Sequence, residues 1–127
     1  MPGVQARNFD SPDDTRASDR RRVDIVRIAA TTATRFTLEP GWRWSEHVGQ
    51  TVGSERCELR HVGVVQSGRL RVIHEDGTEL ELAAGDAYVI EAGHDAWVVG
   101  DETFQCVEFE STVRRGAPTA LDDLDEQ

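Results

Sequence analysis

Not one of the 127 residues is lysine: all fourteen basic side chains are arginine. That absence excludes Schiff-base chemistry and a lysine general base together. Two cysteines, at 57 and 106, are too few and too far apart for a disulfide framework and are expected to be reduced. No apolar run approaches the length of a membrane helix, and no basic-then-apolar leader opens the chain, so a soluble, cytoplasmic protein without a membrane partner is expected. Also missing are a Gly-rich phosphate loop, a Gly-x-Ser-x-Gly elbow, a Cys-x-x-Cys pair, internal repeats and any convincing helical period. Against 14 arginines stand 24 acids, for a net charge of -10. This negative charge falls mostly on residues 23–110, and an acidic body repels phosphate backbones, which argues against nucleic acid as a partner.

What is present is the rhythm of short antiparallel strands. Between His61 and Asp101, runs rich in Val, Ile, Leu, Tyr and Trp are cut by Ser67-Gly68, Glu75-Asp76-Gly77, Ala84-Gly85-Asp86 and Gly93. Asp76-Gly77 supplies a tight hairpin turn, after which Leu80 and Leu82 alternate with Glu79 and Glu81. Further strands are expected at 23–28, 32–38, 57–66, 69–74, 79–82, 87–91, 96–99 and 103–109, about nine or ten in all. Over 42–48 an extended reading places Arg43, Ser45 and His47 on one face and Trp42 and Trp44 on the other. Two tryptophans on one face need cover from the core, a ligand or a second subunit. The expected organisation is a flexible N-terminal arm at 1–21, one all-β domain at 22–110 and an acidic C-terminal tail at 111–127.

Within this pattern, two stretches covering roughly residues 41–100 resemble the cupin family of small jelly-roll β-barrels. Its second motif is matched in spacing by Gly85, five intervening residues and Glu91-Ala92-Gly93. Glu91 replaces the family's Pro, Ala96 occupies its metal-ligand His slot and Gly100 its Asn slot, with His94 two residues earlier on the parity of Ala96. The first motif fits two registers. Counting back from Gly68 puts His61 in the family's Glu slot, Cys57 in the second His slot and Glu55 in the first. Counting forward from Pro40-Gly41 makes His47 the first His. A hybrid is favoured here, with His47 in place, 49–56 inserted, and His61 to Gly68 resuming the pattern.

Imidazole and thiolate donors point to a divalent transition metal, namely zinc, iron, nickel or copper, held by His47, Cys57, His61 and His94. Arg43, Arg60 and Trp97 are the candidate ligand-binding residues, and Glu46, Glu55 and Tyr88 the candidate proton carriers. The resemblance implies a single jelly-roll barrel with a small-molecule site inside it, paired as a homodimer. Three functions follow: a metal-dependent enzyme on a small metabolite, a non-catalytic binding or sensing module, and a metal-free cupin with a histidine acid or base.

Overall fold

The computed structural model describes residues 2–113. Alternating apolar positions and glycine-rich turns yield nine strands among the described residues: β1 (Asp14–Ser18), β2 (Arg21–Ile28), β3 (Thr31–Leu38), β4 (Leu59–Ser67), β5 (Arg69–His74), β6 (Glu79–Ala83), β7 (Ala87–Ile90), β8 (His94–Val98) and β9 (Phe104–Val113). Every pairing is antiparallel. One sheet has the order β1-β2-β3-β9-β4-β7 and the other β6-β5-β8. Their inner faces share one core, to which Phe36, Leu59, Val65 and Phe104 come from the first sheet and Leu70, Val72 and Val98 from the second. Seen this way the all-β expectation takes the form of a two-sheet sandwich, with β7 and β6 as edge strands of their sheets.

The expected Asp76-Gly77 turn joins β5 to β6. Gly77 adopts φ +93, and the Gly77 amide donates to the His74 carbonyl at 2.9 Å. By contrast, the strand expected over 42–48 is replaced by two one-turn helices, α1 (Trp44–His47) and α2 (Gly49–Val52), the latter inside the expected insertion. The reason is tertiary. A helix start leaves amides without partners, and here the Ser45 amide donates to Asp95 Oδ1 on β8 at 3.0 Å, while His47 Nδ1 lies 3.0 Å from the Arg43 amide. Trp42 and Trp44 are both buried, so the core covers them and they supply no reason for a second subunit.

Within the expected arm, residues 14–18 form β1 on the edge of β2. Asp13 accepts from the Arg27 amide at 2.7 Å and from Arg7 at 2.7 Å, and Arg35 lies over the Phe9 ring. Polar anchoring thus places a segment that has little apolar surface of its own. β9 runs past the boundary expected at 110 to Val113, and the acidic tail from 114 onward lies outside the described residues. No helix among the described residues is long and apolar enough to cross a membrane.

Candidate metal centre

Strand alternation brings three donors to one buried point. On β4 and the segment before it, Cys57, Leu59, His61 and Val65 share the inward face, as period-two spacing predicts. Cys57 is paired by backbone with His94: the Cys57 amide donates to the His94 carbonyl at 2.7 Å, and the Gly93 amide donates to the Cys57 carbonyl at 2.7 Å. This bridge ties the start of β8 to the segment leading into β4. One donor atom from each of Cys57, His61 and His94 lies within 4.8 Å of the other two, and all three side chains are buried.

The hydrogen bonds fix which atoms face inward. His61 Nδ1 lies 2.6 Å from Glu108 Oε1, and a carboxylate accepts, so Nδ1 carries the proton and Nε2 points to Cys57 Sγ, 3.6 Å away. His94 Nδ1 lies 2.8 Å from the Glu91 carbonyl, which also can only accept, so Nδ1 donates there and Nε2 is the ring nitrogen left for the centre. Tyr88 donates to the second Glu108 oxygen at 2.7 Å. Sulfur and nitrogen donors at a tetrahedral angle on one zinc-sized ion lie roughly 3.6 Å apart, given bond lengths of about 2.3 and 2.0–2.1 Å. The Cys57–His61 spacing matches that figure, and the carboxylate behind His61 is the usual orienting partner of a metal-bound imidazole. By donor type and by the Cys57–His61 spacing, the cluster suits a divalent transition metal.

Glu108 stands beside a defect in the ladder. β9 skips a residue against β4, with Gly63 opposite Glu108 and Val62 opposite Glu110. Phe104, Cys106 and Glu108 all point inward, and Phe109 is exposed. Gly63 makes room: a Cβ there would collide with the Val107 carbonyl and lie 2.9 Å from both Glu108 Cγ and the Tyr88 hydroxyl.

Burial raises the Cys57 thiol, but hydrogen bonds and charge from His61 and His94 outweigh that and bring it down to about 6. For His61 burial works against the charged ring, yet the Glu108 carboxylate and Cys57 outweigh it and lift the imidazole to about 10. Burial and the neighbouring Cys106 and Glu108 drive Tyr88 far up, and burial raises Cys106, so both stay protonated. A small cavity of about 50 Å³, lined by His61, His94, Tyr88 and Glu108 with Trp42 and Phe36, adjoins the centre.

Of the four metal candidates, Cys57, His61 and His94 converge and His47 does not join them. His47 is held at the Arg43 backbone, with Nε2 3.6 Å from Asp19. Counting back from Gly68 aligns two of the converging residues, Cys57 and His61, whereas His47, which the favoured hybrid takes as the first His, stands apart from them. Among the proton carriers, Tyr88 lies at the centre, while Glu46 and Glu55 are exposed outside the cluster. Arg43 pairs with Asp95 at 3.0 Å and stacks on Trp97 at 4.6 Å; Arg60 pairs with Glu91 at 2.6 Å. Each of these candidate ligand-binding groups thus has a partner within the protein. Glu108 lies outside the candidates read from the sequence, although its parity with Phe104 and Cys106 is legible there.

No family model and no curated protein sequence matches this chain. Solved structures do resemble it in shape. A protein of unknown function from Rhizobium leguminosarum superposes with a TM-score of 0.62 at 16% identity, over 90% of this chain and 100% of that one. KdgF from a Halomonas species gives 0.58 at 21% identity, over 91% and 97%. An oxalate decarboxylase from Lactobacillus farciminis, in complex with formate, gives 0.59 at 14% identity over 92% of this chain, which spans only 36% of that one. The Cnp3 cupin domain of Schizosaccharomyces pombe gives 0.55 at 7% identity, over 79% and 68%. At these identities the likeness concerns the backbone alone: the chain has the fold of a small cupin domain.

Proposed function

We propose that this protein binds a divalent transition metal through Cys57 Sγ, His61 Nε2 and His94 Nε2, and uses it on a small molecule inside the sandwich. The observation that carries the reading is the convergence of three buried donors within 4.8 Å, with Glu108 set behind His61. Three protein donors with room beside them describe an open site, in contrast to a closed structural one. A metal bound there would supply a Lewis acid able to polarise a carbonyl or to activate water or dioxygen.

The protein's own residues prepare that position. Glu108 and the Glu91 carbonyl hold the Nδ1 protons of His61 and His94, which leaves both Nε2 atoms directed inward. Tyr88 occupies the remaining Glu108 oxygen and keeps that carboxylate from turning away. Burial excludes bulk water from all three donors. Without metal, the proton on His61 Nε2 is shared with Cys57, so metal uptake displaces it.

A second reading is favoured by the same chain of contacts: Cys57, His61 and Glu108 form a thiol–imidazole–carboxylate relay that could carry acid–base chemistry without metal. Elemental mass spectrometry on protein purified without chelator separates the two. Near-stoichiometric metal is expected, together with a thiolate-to-cobalt charge-transfer band after Co²⁺ loading that vanishes in Cys57→Ser. Failure to take up metal on reloading, with a Cys57 thiolate still present, would leave the relay as the function.

A further inference from the structure

The buried centre needs an entrance, and the fold leaves one where the sheets do not pair. β6 ends the smaller sheet and β7 the larger, and between them lies a cavity of about 340 Å³. That volume lies in the range of small-molecule sites. Val72, Leu80 and Leu82 form one wall, and Tyr88 and Ile90 the other. Tyr88 and Ile90 also line the inner cavity beside His61 and His94, so a single layer of side chains separates the two spaces.

The two ends of the outer cavity differ. Its walls are aliphatic and aromatic, whereas Asp76, Thr78 and Glu91 lie at its polar end. Arg60 pairs with Glu91 Oε1 without itself lining the space. Asp76 Oδ1 accepts from the Thr78 amide at 2.8 Å, an arrangement that favours its ionised form. The fourth polar residue, His74, has both nitrogens engaged locally, Nδ1 3.0 Å from the Asp76 amide and Nε2 2.9 Å from the Ala92 carbonyl. No arginine lines the cavity, and the chain has no lysine.

From this we propose that the cavity between β6 and β7 is the ligand pocket of the protein, and that it takes a small amphiphilic amine. The apolar body lies between Leu80 and Ile90 and the ammonium group faces Asp76 and Glu91. An anionic head group of the same size would meet the Asp76 carboxylate and a Glu91 already paired with Arg60, with no arginine or lysine among the lining residues. Once seated, the body abuts Tyr88, the residue whose hydroxyl holds Glu108 in place behind His61. The pocket itself stands independently of any metal, whereas its role as an entrance rests on the reading of Cys57, His61 and His94 as the chemical centre.

Three probes with one body and different heads test the assignment: phenethylamine, 2-phenylethanol and 3-phenylpropionate, titrated into the full chain with and without Co²⁺ and followed by backbone amide NMR. Phenethylamine should bind at least about tenfold tighter than 3-phenylpropionate, a difference that one favourable and one unfavourable ion contact at a partly exposed site can supply. The shifted amides should centre on Leu80, Tyr88 and Ile90 in both forms. Asp76→Asn, which keeps the acceptor for the Thr78 amide, should reduce the preference severalfold and leave 2-phenylethanol unchanged; Leu80→Gln should weaken all three probes. Equal or tighter binding of the anion would overturn the amine assignment. Absence of shifts along β6 and β7 with all three probes would overturn the pocket. Phenethylamine binding to a chain that takes no Co²⁺ would sustain the pocket while removing the metal function, and cobalt binding without any probe response would do the reverse.

Discussion

His61 Nδ1 and Glu108 Oε1 lie 2.6 Å apart, and this one contact decides the direction of the other ring nitrogen. Glu108 also accepts from Tyr88, so both of its oxygens are occupied by partners on the inner face of the same sheet. A buried carboxylate of this kind is tolerable only because it is hydrogen-bonded on each side.

Replacing Glu108 by Gln removes the charge while keeping the size. Metal affinity should fall roughly 10–100-fold, the usual cost of losing a carboxylate behind a metal-bound imidazole. Competition with a chromophoric chelator measures it, and unchanged affinity would show that the Glu108 contact does not support the centre.

In metal-free protein the thiolate of Cys57 should titrate near 6 in ultraviolet absorbance, with Cys106 silent. His61→Ala should move the midpoint upward, since burial then acts with less opposition. The signs for stability oppose each other. The Cys57 pKa is depressed from 9.0 to about 6, so its contribution is present above 9 and lost as pH falls through 6. The His61 pKa is raised from 6.5 to about 10, so its contribution is present below 6.5 and lost as pH rises through 10. Chemical denaturation of the metal-free protein should therefore show a flat plateau between about 6.5 and 9, falling on both sides. A steep slope inside that window would contradict the pairing.

Gly63→Ala should destabilise the fold by roughly 1–3 kcal/mol, the range for overpacking an interior. The added methyl meets the Val107 carbonyl, Glu108 and Tyr88, so metal affinity should fall with stability. Urea denaturation and cobalt titration on the same variant check both. Loss of neither would mean that β4 and β9 can separate at this point without cost.

Asp24 is fully buried on the outer face of β2, where it accepts from Arg22, Arg35 and Thr15 at 3.0 Å or slightly more. Burial raises its pKa, but those donors outweigh burial and hold it below 3.8. Its contribution is therefore present above 3.8 and is lost as pH falls through the depressed value. Asp24→Ala should cost about 1–3 kcal/mol near neutrality, because it removes the buried acceptor shared by Arg22, Arg35 and Thr15 while Arg35 keeps Asp10 and the Phe9 carbonyl. The gap between wild type and variant should close in acid below 3.8, as read by thermal melts across pH. A gap independent of pH would assign the loss to packing.

Period two and the glycine punctuation carry most of the strands, because an antiparallel sheet with one wet face writes its geometry directly into neighbouring residues. The same alternation places Cys57 and His61 on one inward face of β4 and the segment before it, and Glu108 with Phe104 and Cys106 on β9. It does not reveal that Glu108 meets His61, since 47 residues separate them and a skipped residue in β9 sets their register. The 42–48 segment fails as a strand for a comparable reason: the carboxylate that receives the Ser45 amide is Asp95, fifty residues away. Local sequence thus determined element type wherever the partner of each backbone group was an adjacent strand. Tertiary structure alone decided that His94 joins Cys57 and His47 does not, because a metal-like cluster depends on which strands cross in space, a property that no local period encodes.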